Sequence, residues 1–160
     1  MAREGSDQRV SNRKVSSRWP RVVGVMNDLD CLVYISRCRL SAPELPSALD
    51  DIVSVAQYRN AEAKITGILT FQDGYFIQLL EGAPAALDLL MIHLHFDERH
   101  EDIRVLARQR VHSKHALNWA MIAPPANHPL RRDLSAMLAN PPKIVSPWRQ
   151  VLLQMVNEAA

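Results

Sequence analysis

Three polar side chains in this sequence stand in apolar company, and what they offer is hydrogen bonding. Gln78 lies within YFIQLLEG, Tyr34 within CLVYIS, and Asn60 at the end of an amphipathic run. An amide carries two donors and an acceptor, so Gln78 among large apolar neighbours must find partners or be costly to bury. It either bonds a nearby loop or meets a planar polar ligand lying on the same surface. Tyr34 is either a core aromatic with a satisfied hydroxyl or part of that site. Asn60 either ends its helix or directs its amide at the same ligand. His93 and Asp97 are four apart, a spacing that could hold a metal, but there is no HExxH and the pair reads as an ordinary helix flank; no metal is expected. Cys31 and Cys38 have neither a CxxC nor a zinc spacing, and read as thiols rather than a disulfide or redox pair. No nicotinamide fingerprint, reactive-cysteine motif or catalytic triad-like grouping is present.

The element that must position Gln78 runs from Lys64 to Gly82. Asp73-Gly74 between two apolar runs predicts a hairpin with a type I′ turn, which needs positive φ at both central residues. That turn sets Gln72 against Tyr75, Phe71 against Phe76, Leu69 against Gln78 and Gly67 against Leu80. Ile65, Gly67, Leu69, Phe71, Phe76, Gln78 and Leu80 then share one face, and Thr66, Ile68, Thr70, Tyr75, Ile77 and Leu79 the other. Gly67 marks a bulge or a close approach. Cys31 to Ser36 is a near-continuous apolar run, the pattern of a strand covered on both sides. Ser41-Ala42-Pro43-Glu44 has the form of a capping box, and Leu45, Leu49, Ile52, Val53 and Ala56 follow at helical spacing, with Asn60 one turn further on the same line.

Pro84 suits the first turn of a second helix with a stripe of Leu87, Leu90, Met91 and Leu94, closed by Asp97-Glu98-Arg99-His100. Ile103 to Val111 alternates as a half-exposed strand, with Arg104, Arg108 and Arg110 on its wetter side. Trp119 to Ile122 is a last short strand. The order is a ferredoxin-like β-α-β-β-α-β sheet of the α+β class plus a fifth strand, with two helices on one face. Leu130, Leu134, Met137 and Leu138 mark a third helix. Ser146-Pro147 caps a fourth carrying Trp148, Val151, Leu152 and Met155, and these two cover the other face.

At 160 residues and 48% hydrophobic content the chain makes one domain with flanking segments. Residues 1–29 read as a basic, flexible N-terminal tail, 30–125 as the ligand-binding domain and 126–160 as a C-terminal helical cap. The net charge of +2 says little about partners. A nucleic-acid reading of the arginines fails for want of exposed aromatics or an RNP-like run. No apolar run could span a bilayer and no signal-peptide core is present, so a cytoplasmic protein without a membrane partner is expected.

From about Cys31 to Met121 the chain resembles the BLUF family of flavin-binding blue-light sensors, in the variety without an output domain. The matching pieces are LVYIS, RNA at the helix end, ITGIL, YFIQLLEG, DERH and WAM, in that order. The resemblance implies FAD lying between the two helices against the sheet, with Tyr34 and Gln78 bonded in series to the flavin and Asn60 binding its ring. Ile65, Arg59, His93, Asp97 and His100 would complete the cofactor site. It further implies that blue light drives electron and proton transfer from the tyrosine, that the glutamine amide then reorients or tautomerises, and that Trp119 and Met121 pass the change on. Both are also ordinary core-filling residues.

Lys64 stands where the family usually has Gly, Arg59 where another Asn is common, and His93 where an Arg often faces the flavin; Arg59 would then offer its charge to the diphosphate. The implied function is a non-enzymatic photoreceptor acting through an unidentified downstream signalling protein or its own homo-oligomer. A flavin-dependent redox enzyme, or a ferredoxin-like interaction module insensitive to light, are the alternatives.

Overall fold

A computed structural model describes residues 28–116 and 127–158. The expected tail, except its last two residues, and the expected fifth strand with Trp119 and Met121 lie outside the described residues. The elements are β1 (Leu29–Cys38), α1 (Leu45–Glu62), β2 (Thr66–Gln72), β3 (Tyr75–Gly82), α2 (Pro84–His95), β4 (His100–Val111), α3 (Arg131–Ala139) and α4 (Val145–Asn157). The described sheet has the order β2-β3-β1-β4 with every pair antiparallel, the expected ferredoxin-like plan.

The hairpin forms as its turn chemistry dictates. Asp73 (φ 51°) and Gly74 (φ 84°) are both left-handed. Gln72 opposes Tyr75 and Leu69 opposes Gln78, and the ladder runs past Gly67 without a shift in register, so Gly67 is not a bulge. The two faces of the hairpin enter two cores. Ile65, Leu69, Phe76 and Leu80 join Leu32, Tyr34 and Leu87 beneath α1 and α2. Ile68, Ile77 and Leu79 join Cys31, Val33 and Ile35 beneath α3 and α4, which contribute Leu134, Val145, Trp148, Leu152 and Met155. Trp148 is fully buried and satisfies its indole N–H on the Pro142 carbonyl at 3.0 Å. The hairpin is also fastened to α3: Gln72 donates to Ser135 Oγ at 2.8 Å, and Arg131 donates to Gln72 Oε1 at 3.0 Å and to the Phe71 carbonyl.

Several expected boundaries move, each for a local reason. Asp97 to His100 does not close α2: the helix ends at His95, Asp97 Oδ1 accepts the Arg99 backbone N–H at 3.1 Å in a turn, and His100 already pairs with Cys38 as the first residue of β4. The Ser41 box forms by half. Glu44 accepts both the Ser41 N–H (2.9 Å) and its hydroxyl (2.6 Å), leaving no side-chain cap on α1. Ser146 is not the cap of α4, which starts at Val145 because burial of that side chain in the core draws it into the helix. Two register shifts between β1 and β4 overturn the simple alternation expected of β4. They set Arg108 opposite Leu32 but Arg104 opposite Ile35, so the arginines divide between the faces. Arg108 bonds Asp30 (2.7 Å) and Asp88, and Arg110 pairs with Asp28 (2.8 Å).

Candidate functional site

The first core opens into a cleft lined by α1, α2 and the sheet, and that cleft collects polar groups from β1, β3, α1, α2, β4 and the turn before β4. Tyr34 (β1) and Gln78 (β3) are directly opposed across the ladder, so their side chains rise from the sheet together. Leu69 and Phe76 form the apolar floor beside them, and Ile52, Ala56, Leu90 and Leu94 the walls. Arg59 and Asn60 reach in from the last turns of α1, His93 from α2, Asp97 and Arg99 from the following turn, and His100 from β4. Asn60 is the one buried residue of α1 (3% exposed), and its carbonyl accepts the Ile65 N–H at 2.7 Å, which ties the helix end to the start of the hairpin.

The Tyr34 hydroxyl donates to Gln78 Oε1. Both residues are buried, at 1% and 5% exposure. Burial, and secondarily the Asp97 carboxylate, push the Tyr34 hydroxyl well above the ordinary phenol range, so it remains a donor at any physiological pH. With its carbonyl held by the tyrosine, the Gln78 amide presents its NH2 to its other neighbours. Asp97 is gripped by Arg99, whose Nε lies 2.8 Å and 3.1 Å from the two carboxylate oxygens. That bonding holds the Asp97 carboxyl below its usual range and the Arg99 guanidinium above its own. His100 places Nδ1 2.8 Å from Ser36 Oγ and its ring edge-on to Phe76. Burial lowers the His100 pKa, opposed by the neighbouring Asp97, so the ring is neutral at pH 7.

The structure therefore brings together Tyr34, Arg59, Asn60, Gln78, His93, Asp97 and His100. Ile65 does not line the cleft. It lies four residues along the hairpin from Leu69, packed where Gly82 and Leu87 close over it, at the other end of the same core. Trp119 and Met121 lie outside the described residues. Two participants had no expected role. Ser36 shares the alternation of Tyr34, and Arg99 stands two residues from Asp97 in DERH, so each carried a positional signal. Among the described residues no group of three or more His, Cys, Asp or Glu is arranged to hold a metal ion, and no helix is long and apolar enough to cross a membrane.

The family model described as BLUF, sensors of blue-light using FAD, matches residues 29–122. The chain belongs to the BLUF family. Its relatives include the blue light- and temperature-regulated antirepressor BluF of Escherichia coli (35% identical over 75 residues, 47% of this chain and 18% of that protein). Another is the photoactivated adenylate cyclase subunit beta of Euglena gracilis (31% over 90 residues, 56% of this chain and 10% of that protein). The chain thus spans less than a fifth of the length of these curated relatives. Among solved structures, the BLUF protein BlrB in its dark state superimposes with a TM-score of 0.67 at 27% identity, covering 79% of this chain and 96% of BlrB. A bacterial light-regulated adenylyl cyclase gives 0.60 at 27% identity, covering 69% of this chain and 33% of the cyclase.

A flavin suits the BLUF cleft of this chain on the chemistry of its lining. Asn60 and Gln78 are buried amides able to match donors and acceptors along the edge of a heteroaromatic ring, above an apolar floor that suits its face. Cationic and imidazole groups, Arg59 and His93, stand in the same cleft for a charged remainder.

Proposed function

We propose that the protein is a blue-light photoreceptor that holds FAD in the cleft between α1 and α2 and signals through the Tyr34–Gln78 pair. The buried hydroxyl of Tyr34 donating to the carbonyl of an equally buried glutamine carries this reading. Bound FAD would supply absorption of blue light and a site that accepts an electron. Everything else falls to side chains of the chain. Asn60 and Gln78 would orient the ring, and Arg59 with His93 would offer charge and hydrogen bonds to the diphosphate. The Asp97–Arg99 pair and His100 shape the polar end of the cleft.

Gln78 is the switching element because an amide can present a donor or an acceptor to one neighbour. Rotation by half a turn, or tautomerisation that moves one proton from Nε2 to Oε1 with no net gain or loss, inverts what it offers. In a buried, rigid setting that inversion is worth more than in water. Trp119 and Met121 would receive the change, within a flavin-binding domain spanning 30–125 capped by residues 126–160. The output is an altered association with a downstream protein or between copies of the chain. For the alternative of a flavin-dependent redox enzyme, Cys31 offers no reactive thiolate, being buried with its thiol pushed up to about 12.

The deciding experiment is an absorption spectrum of purified protein in darkness, after blue light and during dark recovery, with the cofactor then released and identified by chromatography. A small red shift that reverses, with FAD recovered, is expected. Irreversible bleaching of the flavin would overturn the photoreceptor reading in favour of redox chemistry, and recovery of FMN alone would overturn the choice of cofactor.

A further inference from the structure

Glu81 is a carboxyl group with no solvent exposure (0%), and the cleft makes no use of it. It lies three residues beyond Gln78 on β3 but faces the other way, since its partners in register are Cys31 on β1 and Thr66 on β2. Its oxygens accept the backbone N–H groups of His115 (2.7 Å) and Ala116 (3.0 Å), and Oε1 stands 3.1 Å from His115 Nδ1. A buried carboxyl that takes two consecutive amides fixes the path of the chain it holds. The chain held here is the stretch just after β4, and Ala116 is its last described residue before Trp119.

Two further groups beside this grip offer alternatives to it. Thr66, directly opposite Glu81, has a buried hydroxyl with no hydrogen-bond partner among the described residues. Opposed Cβ atoms in an antiparallel pair stand about 5 Å apart, a span that a hydroxyl–carboxyl bond can bridge. His115 Nδ1 also lies 3.5 Å from a guanidinium nitrogen of Arg149 on α4. Bare, Nδ1 accepts from Arg149; bearing a proton, it donates to Glu81; it does not do both. Glu81 is the buried group here, with the His115 and Ala116 amides on one side and the Thr66 hydroxyl on the other. Two discrete bonding arrangements at one buried group are what a relay between distant sites requires.

Resting on the photoreceptor reading of the cleft, we propose that Glu81 is a positioning residue that relays the state of Gln78 to the chain at His115–Ala116. When β3 shifts, its carboxyl exchanges those two amides for the Thr66 hydroxyl. Gln78 and Glu81 thus act on opposite faces of one strand, the first facing the cleft and the second the chain that leaves β4.

The test is hydrogen–deuterium exchange of the flavin-loaded protein in darkness and under continuous blue light. It reads the amides of His115 and Ala116, with absorption recorded on the same samples. Illumination is expected to speed their exchange by about tenfold or more, the loss of one charge-assisted bond. Glu81→Gln should exchange fast already in darkness, and Thr66→Val should stay slow in both states, while each retains the red shift. A normal red shift with exchange unchanged by light in the unaltered protein overturns the relay alone, as does a Thr66→Val protein that responds like the unaltered one. Absence of any red shift in the unaltered protein overturns the photoreceptor reading and the relay with it.

Discussion

Tyr34 and Gln78 form a donor–acceptor pair in which the amide of the glutamine can offer either a carbonyl or an NH2 from the same position. Gln78→Leu therefore should keep flavin but lose the reversible red shift entirely, and Tyr34→Phe should do the same by removing the donor. Difference spectra of the flavin-loaded variants check both, and a normal photocycle in either one removes that residue from the switch. Gln78→Leu also strands the Tyr34 hydroxyl, a cost of about 1–3 kcal/mol that urea titration would register. His100 gives a pH signature. Its ordinary value is 6.5, and burial lowers it in the folded protein. Below about pH 6.5 the unfolded chain binds the proton first, so stability falls as pH drops and levels off once the folded ring is protonated; at neutral pH the effect vanishes. Melting temperatures at pH 7.5 and 5.5 should diverge less in His100→Gln than in the unaltered protein. Tyr34, Asn60 and Gln78 were legible because each breaks an apolar pattern. Ser36 and Arg99 break no such pattern, so only their positions, in the alternation of Tyr34 and beside Asp97, pointed to them.

At the scale of elements, the hairpin was legible to the residue because Asp73-Gly74 admits one turn type and a period of two leaves no freedom in register. β4 was not. Its two register shifts answer to pairing with β1 rather than to its own composition, and they send Arg104 and Arg108 to different faces. The start of α4 was misplaced for a similar reason, since burial of Val145 outweighed the capping preference of Ser146. Lys64 is held at φ 54°, a conformation unfavourable for any residue with a Cβ. Lys64→Gly should then stabilise the protein by about 0.5–1 kcal/mol, the relief of strain being partly offset by a freer unfolded chain. Chemical denaturation measures it, and a loss of stability would mean that the lysine side chain contributes more than its backbone costs. Trp148→Ala, by contrast, empties the centre of the second core and should cost about 3–5 kcal/mol.

For the molecule as a whole, the sheet has a function on each side. The face beneath α1 and α2 holds the cleft, and the face beneath α3 and α4 is closed by Leu134, Trp148, Leu152 and Met155. That division was legible from the alternation of the hairpin and the amphipathic C-terminal segments, whereas the identity of any partner leaves no such periodic trace. The attachment of α3 to the hairpin has a consequence of another kind. β2 is one of the two end strands among the described residues, and wherever an end strand is left open its backbone groups are a template on which a foreign strand can grow. Arg131 occupies the Phe71 carbonyl and brackets it with bonds to Gln72 and Thr70, so one rung of that template is already taken by a charged side chain. Arg131→Ala should scatter more light on concentrated storage and bind more amyloid dye while its fresh absorption spectrum stays unchanged. The arginine would then govern shelf life and solubility in a protein whose colour it leaves alone.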